Sequence, residues 1–157
     1  MSDPCGPIGR VKVLDHKKEL RALARRQLGL VTRDQALALG SESAINRRLW
    51  SGAWEKFFPR VYRVGGAPDS RQQRVLGACL ALGPEAVASH RTAGFLWGLD
   101  GLTREFPLPI ELSASRRTGS VLPGVVVHTT RTFALAGRSI CRTIPTTHLA
   151  RTLVDLA

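Results

Sequence analysis

The segment from Gly29 to Gly52 leaves the chain little choice of local structure. Thr32-Arg33-Asp34-Gln35 is a capping box, in which Thr32 and Gln35 satisfy each other's free backbone donors at a helix start. Gly40 then stops that helix after barely two turns. Ser41 follows as the cap of a further helix, which has Ile45 and Leu49 one turn apart as inward anchors and ends at Ser51-Gly52. Upstream, Leu20, Leu23, Ala24 and Leu28 recur at helical spacing, and Gly29 ends that first helix. Two short helices across a tight Gly-Ser turn give the outline of a helix-turn-helix.

The outer face of the third helix carries Ser43, Asn46, Arg47 and Trp50 at i, i+3, i+4 and i+7, opposite Ile45 and Leu49. Asn can bond adenine and Arg can bond guanine in a bidentate way, whereas an ordinary solvated face more often mixes Glu with Lys. Trp50 fits least, because a tryptophan near a helix C-terminus more often packs on a neighbouring element. After Gly52, Trp54-Glu55-Lys56-Phe57-Phe58 and Val61-Tyr62-Arg63-Val64 flank the turn Pro59-Arg60 and predict a β-hairpin wing. Lys56, Arg60 and Arg63 would set that wing along phosphates or in a minor groove. Trp54, Phe58 and Tyr62 are expected to form its core rather than a stacking platform for single strands. With Arg33 and Arg48, the expected DNA-contact set is Arg33, Ser43, Asn46, Arg47, Arg48, Lys56, Arg60 and Arg63.

Charge agrees with this reading. The 157 residues include 23 basic and 12 acidic side chains, a formal charge of +11 that draws polyanions. Residues 1–66 carry more than two basic side chains for each acidic one, and residues 67–157 fewer than two. Only Lys12, Lys17, Lys18 and Lys56 are lysines, so most of the cations are guanidinium forks suited to phosphate and guanine. A codon bias toward Arg would give the same excess without nucleic acid. Cys5, Cys79 and Cys141 are odd in number and far apart, matching neither a disulfide framework nor a zinc spacing. Reduced thiols in a cytoplasmic protein are expected, with no membrane partner, since there is no leader-like h-region and no apolar run of spanning length.

The second half reads as a different module. Gly65-Gly66-Ala67-Pro68 is a short linker, and Ser70-Arg71-Gln72-Gln73 offers a second capping box before the stripe Val75, Leu76, Cys79 and Leu80. A brief strand over 86–89 precedes a helix from His90 to Trp97 and a turn through Gly98 and Gly101. Strands are expected over 109–113, at Val125-Val126-Val127 and, more weakly, over 139–144. A last helix after Pro145 carries Leu149, Leu153 and Leu156. The predicted fold class is α+β: a flexible arm over 1–16, a winged helix-turn-helix over 17–66, and a small mixed α/β module over 67–157. His90 and Arg91 could hold an anion at a helix start, although structural hydrogen bonds are the commoner role of a His there. His128 and His148 stand apart from any carboxylate or thiol pattern, so neither a metal site nor a Cys-His nucleophile is expected. Arg116, Arg117 and Arg131 are either extra phosphate contacts or solvated loop charge. No motif calls for a cofactor, and no constellation suggests catalysis.

Two sets of runs carry a family resemblance. Leu30-Val31-Thr32-Arg33-Asp34-Gln35-Ala36, Ser43-Ala44-Ile45-Asn46-Arg47-Arg48-Leu49, Gly52-Ala53-Trp54 and Pro59-Arg60-Val61-Tyr62-Arg63-Val64 resemble the N-terminal winged-helix domain of AbiEi-family antitoxins. Ser89-His90-Arg91-Thr92-Ala93, Leu96-Trp97-Gly98-Leu99, Ile144-Pro145-Thr146-Thr147 and the stretch from Ala150 to Ala157 resemble the segment that follows it in actinobacterial members. The resemblance implies a repressor of its own operon on double-stranded operator DNA, opposing a nucleotidyltransferase-like toxin. Similar proteins often continue into a module like very-short-patch-repair endonucleases, whose acidic and Gln or Lys residues are not found here. Two other readings stay open: the DNA-targeting part of a nuclease whose catalytic domain is absent from this chain, and an interaction module built on residues 67–157.

Overall fold

A computed structural model describes residues 15–102, 106–115, 121–130 and 137–157. Residues 1–14 of the expected arm, with Cys5, Arg116, Arg117 and Arg131, lie outside the described residues. The described chain is mixed α and β, with six helices and two sheets. The first half runs α1 (His16–Arg26), β1 (Leu30–Thr32), α2 (Arg33–Ala38), α3 (Glu42–Trp50), β2 (Trp54–Phe58) and β3 (Val61–Val64).

Both expected caps form. The Thr32 hydroxyl accepts from the Gln35 amide while the Gln35 side chain accepts from the Thr32 amide, and the Ser41 hydroxyl accepts from the Ala44 amide. Leu30 to Thr32, which carries no strand signal of its own, pairs antiparallel with the free edge of β3, giving a sheet of order β1-β3-β2. One face of this sheet, through Val31, Trp54 and Tyr62, packs on Leu20, Ala24, Ala36 and Ile45 from α1, α2 and α3. The Trp54 and Tyr62 rings stack with centroids 5.8 Å apart. The other face carries Leu30 and Val61, both fully buried. A register shift between Lys56 and Phe58 turns Phe57 and Phe58 onto that same face, which strict alternation would not do.

That second face is covered by α4 (Arg71–Leu82). Gly77 permits the approach, since a Cβ there would stand 2.8 Å from the Phe57 ring. Residues 75–79 of α4 are buried without a break, as for a helix lying between two layers rather than on a surface. Its start departs from the expected capping box. Ser70 does accept from the Gln73 amide at 3.1 Å, but the buried Gln73 side chain donates at 2.6 Å to the Leu28 carbonyl instead of turning back to its own cap. Gln73 therefore ties α4 to the end of α1, and one core runs from Leu30 and Val61 through Val75 and Leu76 to Leu112 and Ile144.

Beyond α4 come β4 (Val87–Ala88), α5 (His90–Trp97), β5 (Ile110–Ala114), β6 (Val125–Thr129), β7 (Arg138–Cys141), β8 (Ile144–Thr147) and α6 (Leu149–Leu156). The five strands form a mixed sheet of order β6-β5-β4-β8-β7, with β5/β6 and β4/β8 parallel. The single weak strand expected over 139–144 is instead a hairpin, turning at Arg142 and Thr143 with φ of +48° and +74°. Two positive-φ residues suit the twist of a tight hairpin, but Arg-Thr is not the Asn-Gly pair that would announce one. Trp97 donates to the Thr147 carbonyl at 3.0 Å and Cys141 to the Leu96 carbonyl at 3.1 Å, fastening α5 to this hairpin.

Candidate nucleic-acid interface

Helix α3 stands on Ile45, which is 2% exposed, and turns Asn46 and Arg47 fully outward. Neither side chain has a hydrogen bond or ion pair among the described residues. Ser43 beside them meets only the Ser41 hydroxyl, at 2.9 Å. Trp50, expected to pack on a neighbour, is 91% exposed. An indole held in water is unfavourable by the same term that drives folding, on the order of 1.5 to 3 kcal/mol for a large side chain. Ser43, Asn46, Arg47 and Trp50 thus form one outward face on a helix whose other face is anchored.

The remaining residues of the expected set divide differently. Lys56 is exposed on β2. Arg33 bonds Glu42 at 2.5 Å, and Arg60, at the hairpin tip with φ of +61°, bonds Asp34 at 2.6 Å. Arg63 is shared between Glu55 and Asp69, and its guanidinium lies 5.2 Å from the Phe57 ring centroid. Arg48 lies 5.0 Å from the centroid of the Trp54 ring and donates to the Ala44 carbonyl, so it packs rather than projects. Two of the three hairpin cations are therefore already paired with carboxylates. Helix α1 carries cations outside that expected set. There Lys17, Arg21 and Arg25 recur at i, i+4 and i+8, all exposed, and with Arg47 and Arg48 they line a cleft of about 940 Å³ floored by Leu20, Ala24, Trp54 and Val64. Helical periodicity would have found that stripe.

A second polar cluster lies at the start of α5. The parallel register of β5 and β6 sets His128 across from Ser113, where its Nε2 comes 3.3 Å from Glu111 Oε1. The expectation that His128 stands apart from any carboxylate is therefore corrected. Its ring stacks on His90 with centroids 3.8 Å apart. The other Glu111 oxygen accepts from the Arg91 amide at 3.0 Å, so the helix start considered as an anion site already holds a carboxyl group of its own chain. Among the described residues no group of three or more His, Cys, Asp or Glu is arranged to hold a metal ion. Burial pushes the Cys79 thiol up to about 12, which keeps it protonated at neutral pH.

Burial, and then the neighbouring His128, lower the His90 pKa below its ordinary 6.5, while Asp155 and Glu111 oppose the shift and Arg151 adds to it. A His that resists its proton when folded accepts it more readily when unfolded, so its contribution is intact above pH 6.5 and lost as pH falls through the lowered value. The urea midpoint is expected to fall between pH 7.5 and 5.5 more for the native chain than for His90→Asn, a residue that tolerates the φ of +48° at this position. Equal pH dependence in both proteins would clear His90 of the effect.

No family model matches the chain, and no curated protein matches its sequence. Among the described residues no helix is long and apolar enough to cross a membrane.

Proposed function

We propose that this chain is a sequence-specific, double-stranded DNA-binding transcriptional repressor, not an enzyme, in which residues 16–64 act as a winged helix-turn-helix. In this reading α3 enters the major groove, Asn46 and Arg47 read base edges, Ser43 and Trp50 flank them, and the β2–β3 hairpin lies beside the backbone with Lys56 toward it. The observation that carries it is the outward face of α3, where the Asn46 and Arg47 side chains have no partner among the described residues, on a helix anchored from below by Ile45. The resemblance to AbiEi-family antitoxins extends the proposal to an antitoxin-like role in the cytoplasm, with the operon's own promoter as target and a nucleotidyltransferase-like toxin as genetic partner.

The test is a salt-titrated binding assay of the whole chain on its own promoter fragment and on scrambled DNA of equal length. Preference for the promoter is expected to persist at about 150 mM salt, where specific binders typically exceed their own non-specific affinity by about a thousandfold or more. Equal, salt-fragile binding to both fragments would overturn the proposal.

A further inference from the structure

We infer that α1 and α3 form the two banks of a cationic groove that takes one phosphodiester strand of the bound duplex, and that this groove supplies more of the salt-dependent affinity than the ion-paired arginines of α2 and the hairpin. The inference rests on the DNA-binding reading and says where the backbone lies. Five cations line the groove, Lys17, Arg21 and Arg25 from α1 and Arg47 and Arg48 from α3, and among the described residues no carboxylate does. By contrast, Arg33 of α2 and Arg60 and Arg63 of the hairpin each face an acidic partner within ion-pair distance. Like charges at i and i+4 cost an isolated helix a few tenths of a kcal/mol per pair. The α1 stripe stacks two such pairs in a row and offsets neither with an acidic residue on that face.

The dimensions favour a polymer over a compact anion. Lys17 to Arg25 covers eight residue steps of helix, roughly 12 Å. Each DNA strand carries a charge about every 3.4 Å along the duplex axis, so that length faces about three phosphates in succession. A single free phosphate would meet one or two of the cations and leave the others repelling each other. The groove also opens beside Arg47, so a strand lying in it would continue past the side chains placed over the bases. Releasing condensed counterions from those phosphates is what makes affinity fall with salt, so the groove predicts a slope as well as a location.

The experiment compares two double variants of the full chain, Arg21→Gln/Arg25→Gln and Arg33→Gln/Arg60→Gln, by the slope of log affinity against log salt on the promoter fragment. Both lower the net charge equally, so a difference between them reports where the charge sat. The α1 variant is expected to lose about 1.8 from the slope, or 0.9 per phosphate contact, and to weaken promoter and scrambled DNA alike. The ion-paired variant is expected to lose less than half as much. Arg21→Lys/Arg25→Lys, which keeps charge but not the guanidinium shape, should hold the native slope and so separates loss of charge from loss of packing. An α1 slope equal to the native one, or equal losses in the two Gln variants, would overturn the groove while leaving DNA binding standing. Absence of DNA binding by the native chain would overturn the functional reading and the groove with it.

Discussion

A fragment ending at Gly66 is expected not to fold. The sheet of β1, β2 and β3 has two apolar faces, and only one is covered from within the first half of the chain. Leu30 and Val61, both fully buried, lie with Phe57 and Phe58 on the other face, against Val75, Leu76 and Gly77 of α4. Fully burying one such side chain is worth about 1.5 to 3 kcal/mol, so uncovering Leu30 and Val61 alone would forfeit roughly 3 to 6 kcal/mol. A whole domain has only about 5 to 15 kcal/mol to lose. The Leu28 carbonyl would also lose the Gln73 amide that now reaches it at 2.6 Å. Far- and near-UV circular dichroism should show the fragment without a cooperative thermal transition, and the full chain melting with Trp54 and Trp97 reporting one event. A fragment that melts cooperatively near the temperature of the full chain would mean that the first sheet stands without α4.

The parts of this arrangement legible in the sequence are those encoded locally. Thr32, Ser41 and Ser70 each cap the helix expected of them, because a cap is a contact between residues three apart. Helix α5 spans His90 to Trp97, ending at Gly98 as the turn there indicates. What was not legible depends on partners distant in the chain. Leu30 to Thr32 becomes a strand only because β3 offers an edge, and the Gln73 amide leaves its capping box for the Leu28 carbonyl, a partner 45 residues away. The last helix does follow Pro145, over Leu149–Leu156, but Pro145 itself lies within β8, opposite Ile140, which no local pattern indicates. His128 meets Glu111 through a parallel pairing that no local pattern announces.

The candidate site shows the same division. Periodicity was enough to put Ser43, Asn46, Arg47 and Trp50 on one face of α3, because the anchors Ile45 and Leu49 belong to the same helix. It was not enough to say which arginines are free. A basic residue in sequence is a charge, and whether that charge is available depends on the carboxylates folded against it: Asp34 for Arg60, Glu42 for Arg33, Glu55 and Asp69 for Arg63. Exposed pairs of this kind are worth roughly 0 to 1 kcal/mol, little for stability, but they still cancel the field that a phosphate would feel. The net charge of +11 is thus a poor guide to the position of the proposed binding face, and the unpaired cations a better one.

Replacing both Asn46 and Arg47 by Ala is expected to abolish discrimination between promoter and scrambled DNA while leaving the fold intact. Each bidentate contact to a base is worth about 1 to 3 kcal/mol of discrimination, so the pair would account for about 2 to 6 kcal/mol if the two act independently. That corresponds to a loss of roughly 30-fold to twenty-thousandfold in promoter affinity, at 1.4 kcal/mol per factor of ten. Scrambled DNA should lose much less, because only the Arg47 charge contributes there. Stability should hold or rise slightly, since both side chains are exposed and Ala is the better helix former. Trp50 provides an internal check on placement: it is 91% exposed whereas Trp54 is 5% exposed and Trp97 is half-buried, so protection of the native chain's fluorescence from acrylamide on promoter binding, lost in Trp50→Phe, would report α3. Equal losses on both probes would mean that α3 lies along the backbone, and base reading would then have to come from a different surface of the chain.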